Sequence, residues 1–159
     1  MKPITFTCAV TLTLSPADIS RQILDLSKWP EFHGYGPIPG IKVAVFDVRT
    51  PTIVGTRIKV TNSDGSSHVE EITEWEPNRR VQLRMCDFSP PLSRLATKFF
   101  ETWEFVSQGE NTLVTRSFEI NAKSVLTKPA LWLISIFLKR AIARHLREMQ
   151  RPSSISEES

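Results

Sequence analysis

Apolar and polar residues alternate without a break from Ile4 to Leu14. Ile4, Phe6, Cys8, Val10, Leu12 and Leu14 fall on one face, with Thr5, Thr7, Ala9, Thr11 and Thr13 on the other. A period of two predicts a half-buried antiparallel strand. Ser15-Pro16-Ala17-Asp18 then reads as a helix start, with Ser15 as N-cap, Pro16 at the first helical position and Asp18 in the first turn. Ile19, Ile23, Leu24 and Leu26 give that helix its apolar stripe. Trp29-Pro30 interrupts it, and the Gly- and Pro-rich segment Glu31–Gly40 predicts loop or short helix.

From Ile41 to Ala122 the period is again two. Strands are predicted near 41–48, 54–62, 67–76, 79–87, 98–107 and 112–122, separated by turn signals at Pro51, Asn62–Gly65, Pro77-Asn78 and Gly109-Glu110. Phe88–Thr97 is unusual among the connections: Pro90, Pro91, Leu92 and Leu95 make it too apolar for a solvated turn. A final helix is predicted over about 128–150, with Thr127 as N-cap and Pro129 near its start. The class is therefore α+β: one seven-stranded antiparallel sheet with helices on one side. It forms one domain over 1–150, followed by a polar disordered tail over 151–159.

Residues opposite each other in an antiparallel pair share a face, so polarity tests register. Around Pro77-Asn78, pairing Glu70 with Arg84 and Glu74 with Arg80 collects two ion pairs on one face. Val69, Thr73, Trp75, Val81, Leu83 and Met85 then share the other. This register puts Glu71 on the apolar face, opposite Leu83. Around Gly109-Glu110 a two-residue loop with Gly first predicts a tight hairpin. One face of it collects Phe99, Trp103, Phe105, Val114, Phe118 and Ile120, together with Glu101 and Arg116, diagonal to one another.

Three charged residues, Glu71, Glu101 and Arg116, are thus expected inside an aromatic concavity. Buried charges are costly unless paired or wet. Three readings stay open: a bulge that turns one or more of them outward, a structural Glu101–Arg116 pair with no ligand, or a cavity that uses them as polar handles.

Composition narrows the class without naming a function. The 159 residues are 40% hydrophobic and 23% charged, which excludes a collagen, a coiled coil, a mainly disordered chain and a disulfide scaffold. The net charge of +3 is unevenly placed: Lys139, Arg140, Arg144, Arg147 and Arg151 meet only Glu148 at the C-terminal end. That cluster suits either a helix C-terminus or anionic lipid. Cys8 and Cys86 stand far apart, and no secretory h-region is visible, so a cytoplasmic protein with free thiols is expected.

Several motifs in order resemble the START-like (SRPBCC, helix-grip) superfamily, which includes polyketide cyclase/dehydrase and lipid-transport proteins and plant pollen-allergen relatives. They are Ser15–Leu24, Leu26-Ser27-Lys28-Trp29-Pro30-Glu31-Phe32, Val54-Gly55-Thr56, Ile72–Val81, Glu101-Thr102-Trp103-Glu104-Phe105 and Asn111–Thr115. The resemblance covers about residues 3–150. It departs from the usual pattern at Asn111-Thr112, where Gly-Thr is common. It implies a helix-grip fold, in which the sheet wraps the long C-terminal helix around a hydrophobic cavity. It also implies a strand order that holds Cys8 and Cys86 about 14 Å apart, beyond the reach of a disulfide.

Residues expected to meet a ligand follow from this fold. The loop after the first helix offers Trp29, Phe32 and Tyr35. The middle strands offer Ile58, Val60, Glu71, Trp75, Leu83 and Met85. The last hairpin offers Phe99, Glu101, Trp103, Phe105, Arg116 and Phe118. The last helix offers Leu131, Ile134 and Leu138.

Motifs for catalysis are sparse. Gly34, Gly36 and Gly40 miss the dinucleotide fingerprint, and no phosphate loop, HExxH, CxxC or GxSxG is present. No cofactor and no metal are expected, and nucleic acid has no support. His68 is expected on the outer face near Cys86. His33, in the Trp29–Tyr35 loop, is either a plain loop histidine or, with Glu71, Glu101 and Arg116, a candidate acid, base or anchor.

Two functions follow: binding or carriage of a lipid-like, aromatic or polyketide-like molecule, or cyclase/dehydratase chemistry on a polyketide-like substrate. The first half of the last helix is also apolar at Trp132, Leu133, Ile136 and Phe137, more than one stripe requires. That surplus has three outlets: the 88–97 loop, a homodimer, or weak contact with a membrane surface.

Overall fold

The computed structural model describes residues 1–150; the tail over 151–159 lies outside the described residues. The strands are β1 (Ile4–Leu12), β2 (Ile41–Val48), β3 (Arg57–Asn62), β4 (Ser67–Glu76), β5 (Arg80–Cys86), β6 (Ala96–Gln108) and β7 (Asn111–Ala122). The helices are α1 (Pro16–Leu24) and α2 (Lys128–Gln150), with a 3₁₀ turn over Leu26–Glu31. All seven strands form one antiparallel sheet in the order β1-β7-β6-β5-β4-β3-β2.

The local chemistry explains most boundaries. Ser15 Oγ accepts from the Asp18 amide at 3.1 Å and caps α1, which ends β1 at Leu12. Ser20 Oγ donates to the Pro77 carbonyl at 2.7 Å and ties α1 to the β4–β5 turn. β3 begins at Arg57, because Ile53 and Gly55 adopt positive φ (72° and 90°) in the preceding turn. Thr127 starts α2 through its carbonyl, which accepts from the Leu131 amide, but its hydroxyl reaches the Leu95 carbonyl at 2.8 Å. That side chain therefore pins the 88–95 connection to the helix.

The β6–β7 register is the expected one: Gln108 pairs with Asn111, Trp103 with Arg116 and Glu101 with Phe118. The β4–β5 register differs from expectation. Ile72 pairs with Leu83 but Glu74 pairs with Gln82, so Thr73 is an extra residue in a β-bulge. Before the bulge His68, Glu70 and Ile72 face the helix side, and after it Trp75 does. Glu71 is turned outward, opposite Arg84 rather than Leu83. Its carboxylate accepts from Arg57 Nη1 at 3.0 Å and Arg84 Nη2 at 3.3 Å. The expected Glu70–Arg84 pair is absent, whereas Glu74 and Arg80 do meet, at 2.6 Å. His68 also moves from the expected outer face to the inner one, and Val69 stands opposite Cys86 instead.

The core lies between the sheet and α2. Leu12, Ile19, Ile72, Val81, Val114 and Leu146 are almost wholly buried within it. Phe88, Leu92 and Leu95 pack with Phe99, Ile120 and Leu131 at the start of α2. Of the surplus apolar residues of that helix, Phe137 meets Tyr35 with ring centroids 6.5 Å apart, and Trp132 and Leu133 stay 59% and 54% exposed.

Candidate functional site

A cavity of about 370 Å³ lies between the sheet and α2, within the range of small-molecule sites. The sheet supplies Leu83, Met85, Phe99, Trp103 and Phe118. The α2 face supplies Ile134, Leu138, Ile142 and Met149. Trp29, Phe32, Ile38 and Pro39 close one end, and Phe88, Pro91, Leu92 and Leu95 form another wall. Trp29 is fixed by its indole N–H, which donates to the Ile23 carbonyl at 2.9 Å. Exposed Glu31, Asp64 and Ser67 mark the solvent-facing rim, with Lys28 beside them.

Against this apolar background the buried ionisable groups among the described residues form two clusters. In the first, Arg116 Nε and Nη2 donate to one carboxylate oxygen of Glu101, at 3.1 and 2.6 Å. Trp103 Nε1 donates to the other oxygen at 3.0 Å, and the guanidinium lies over the Trp103 ring, 4.1 Å from its centroid. Arg116 Nη1 donates to His145 Nδ1 at 2.9 Å. Arginine has no acceptor, so Nδ1 must be the lone-pair nitrogen and Nε2 carries the imidazole hydrogen. In the second cluster His68 Nε2 and Glu70 Oε2 are 2.9 Å apart, and both side chains are nearly buried.

Burial shapes the ionisation of both Glu101 and His145. It pushes the Glu101 carboxyl up, Arg116 pulls it back down, and the Glu70 charge adds to the rise. Three N–H donors aimed at its two oxygens suit the carboxylate form. Burial first, and then the charge of Arg116, lower His145 to about 3, so it is neutral at physiological pH. Phe32 meets the His145 ring edge-on, centroids 5.7 Å apart, and fixes its plane.

Not every residue expected at a ligand lines this space. Trp29, Phe32, Leu83, Met85, Phe99, Glu101, Trp103, Arg116, Phe118, Ile134 and Leu138 do. Ile58 and Val60 instead pack with Ala44 under β2, Trp75 and Phe105 belong to the main core, and Leu131 packs beneath the 88–95 segment. Glu71 is on the outer face, for the reason given by the Thr73 bulge. Tyr35 stacks loosely on Phe137, and the His33 side chain is 60% exposed beside Glu148, so neither reaches the cavity. Sequence reasoning missed Glu70, His68 and His145. The first two were hidden by the bulge, and His145 falls on the α2 stripe between Leu138, Ile142 and Met149, where its spacing could have revealed it. Among the described residues no group of three or more His, Cys, Asp or Glu could hold a metal ion.

The family model for polyketide cyclase / dehydrase and lipid transport proteins matches residues 3–152. The chain belongs to this family. Other members of the polyketide cyclase/dehydrase and lipid transport family need not share a ligand, so the match fixes fold and broad class. The fold is also that of ginseng major latex-like protein 151 from Panax ginseng (TM-score 0.68, 18% identity, 96% of this chain and 100% of that one). It is likewise similar to a START superfamily protein from Mycobacterium smegmatis (TM-score 0.61, 14% identity, 91% and 98%). A protein from Thermus thermophilus is similar at TM-score 0.69 and 14% identity (98% and 100%). At these identities the likeness concerns fold alone. No curated protein matches the sequence.

Proposed function

We propose that this protein binds and carries a largely apolar small molecule in the cavity between the sheet and α2. The supporting observation is an aromatic and aliphatic hollow of about 370 Å³ whose buried ionisable groups, among the described residues, form two clusters. A filled core would bury the same apolar residues without leaving space, and would not place Glu70 and Glu101 on one wall. Native mass spectrometry of the purified protein, with solvent extraction of what it holds, tests the reading. Co-purified apolar molecules, or saturable quenching of Trp29 and Trp103 fluorescence by added ones, support it. An empty protein that no apolar ligand quenches overturns it.

A second reading, cyclase or dehydratase chemistry on a polyketide-like substrate, draws on the His68–Glu70 pair. An imidazole held by a carboxylate within a cavity suits proton transfer next to a carbonyl. Product formation from a poly-ketone substrate that is lost in His68→Ala, while ligand quenching persists, would favour this reading over carriage.

Exchange of the cargo at an anionic membrane surface accompanies the carrier proposal. Val125, Leu126, Trp132 and Leu133 are 72%, 91%, 59% and 54% exposed around the start of α2. Arg140, Arg144 and Arg147 follow on the outward side of the same helix. An exposed Trp-Leu cluster flanked by cations suits a headgroup interface. Among the described residues no helix is long and apolar enough to cross a membrane. The free thiols Cys8 and Cys86 support a cytoplasmic setting.

A further inference from the structure

Five side chains set the charge inside the cavity: Arg116, Glu101, His145, Glu70 and His68, the last already engaged by Glu70. Among the described residues Arg116 is the single buried Lys or Arg on its wall. Its charge is already matched by Glu101 through two hydrogen bonds. His145 adds none, because its Nδ1 accepts from Arg116 and so cannot hold a proton. Glu70 adds a second carboxylate, 4% exposed, whose one partner among the described residues is His68. At the rim Lys28 is outnumbered by Glu31 and Asp64. An incoming carboxylate would therefore find no unmatched buried cation and would face Glu70. A carboxylate taken out of water without such a partner is strongly disfavoured.

The free hydrogen-bonding capacity is of a different kind. His145 Nε2–H has no partner among the described residues, and His145 lines the cavity. Arg116 has five N–H bonds, of which Glu101 and His145 use three. These are donors without net charge to offer, and they suit a neutral acceptor oxygen.

We infer that the cavity selects uncharged ligands, an apolar body bearing a hydroxyl, phenol or keto oxygen set against His145 and Arg116, and discriminates against free carboxylates. This deepens the carrier proposal and rests on it.

Matched pairs test the inference at neutral pH: naphthol against naphthoate, and dodecanol against dodecanoate, each read by tryptophan quenching. The neutral member is expected to bind at least about tenfold more tightly, the scale of one unmatched charge at close range. Partition from water also favours the neutral member, so the same pairs are measured on Glu70→Gln. Loss of that carboxylate is expected to narrow the preference several-fold by improving carboxylate binding. Equal or tighter binding of the carboxylates to the wild-type protein overturns the inference and leaves the carrier reading intact. So does a preference that Glu70→Gln leaves unchanged. Failure of all four probes to bind overturns the carrier reading itself. His145→Phe adds a second readout: the advantage of dodecanol over dodecane should shrink, and an unchanged advantage counts against the oxygen being set at His145.

Discussion

Arg116 and Glu101 stand diagonally across β7 and β6, and the guanidinium grips a single carboxylate oxygen with two of its N–H bonds. Both side chains are almost completely buried. Breaking such a pair from one side costs more than removing it whole, because the survivor keeps its desolvation penalty. Arg116→Met should lower stability by about 3–5 kcal/mol. The double variant Arg116→Met/Glu101→Leu should regain much of that loss. Urea unfolding of the wild type and the variants measures both, and a double variant no more stable than Arg116→Met would contradict the account.

Acid should weaken the fold through His145. Its folded-state pKa is lowered from 6.5 to about 3 by burial and by Arg116, whereas the unfolded chain protonates it normally. Below about pH 6.5 the unfolded state thus binds more protons at this site, and stability falls as pH drops toward 3. Full expression of the shift is worth a few kcal/mol. His145→Gln should flatten the decline between about pH 6.5 and 5. Unfolding midpoints across that window, for the wild type and the variant, provide the check; parallel curves would refute it.

Glu70 and Glu71 are neighbours with separate jobs. Glu71 bridges Arg57 and Arg84 on the outer face with its side chain 22% exposed. Glu71→Gln should cost up to about 1 kcal/mol of stability and leave ligand affinity unchanged. Glu70→Gln should shift ligand preference instead. Fluorescence titration beside thermal unfolding separates the two effects, and a ligand effect at Glu71 would argue against this division.

The exposed corner at the start of α2 predicts lipid binding. Vesicles containing anionic lipid should sediment the protein, neutral vesicles should do so weakly, and salt should reduce the effect. Trp132→Ser should reduce binding regardless of salt, and Arg140→Gln/Arg144→Gln should remove its charge dependence. A dimer in solution that buries Trp132 would reassign the surface to a second copy of the chain.

Much of the fold is legible in the sequence because one face of each strand is apolar and the turns are chemically marked. Gly109-Glu110 fixes a two-residue loop, and strict alternation on both sides then dictates the inward set of β6 and β7, including Glu101 and Arg116. Thr73 has no such mark. Nothing in Ile72-Thr73-Glu74 announces an extra residue, and a regular strand puts the wrong carboxylate inside. The Trp29–Tyr35 loop was legible in part: Trp29 and Phe32 line the cavity, while His33 and Tyr35 follow the chain outward. The role of His145 depends on α2 lying across β7, a tertiary fact that local pattern carries weakly.

The extra residue in β4 acts as a phase switch for the strand. Upstream of Thr73 the even-numbered residues look toward the helix; downstream the odd-numbered Trp75 does so. If Trp75 stays anchored against Val81, deleting Thr73 only removes the bulge: Ile72 keeps Leu83, Glu74 keeps Gln82, and Glu70 and His68 stay on the cavity wall. Straightening the strand with Thr73 retained would instead carry Glu71 and Val69 inward, so the polarity of the interior depends on Thr73 being held as a bulge, with the sheet order and the grip on α2 left in place.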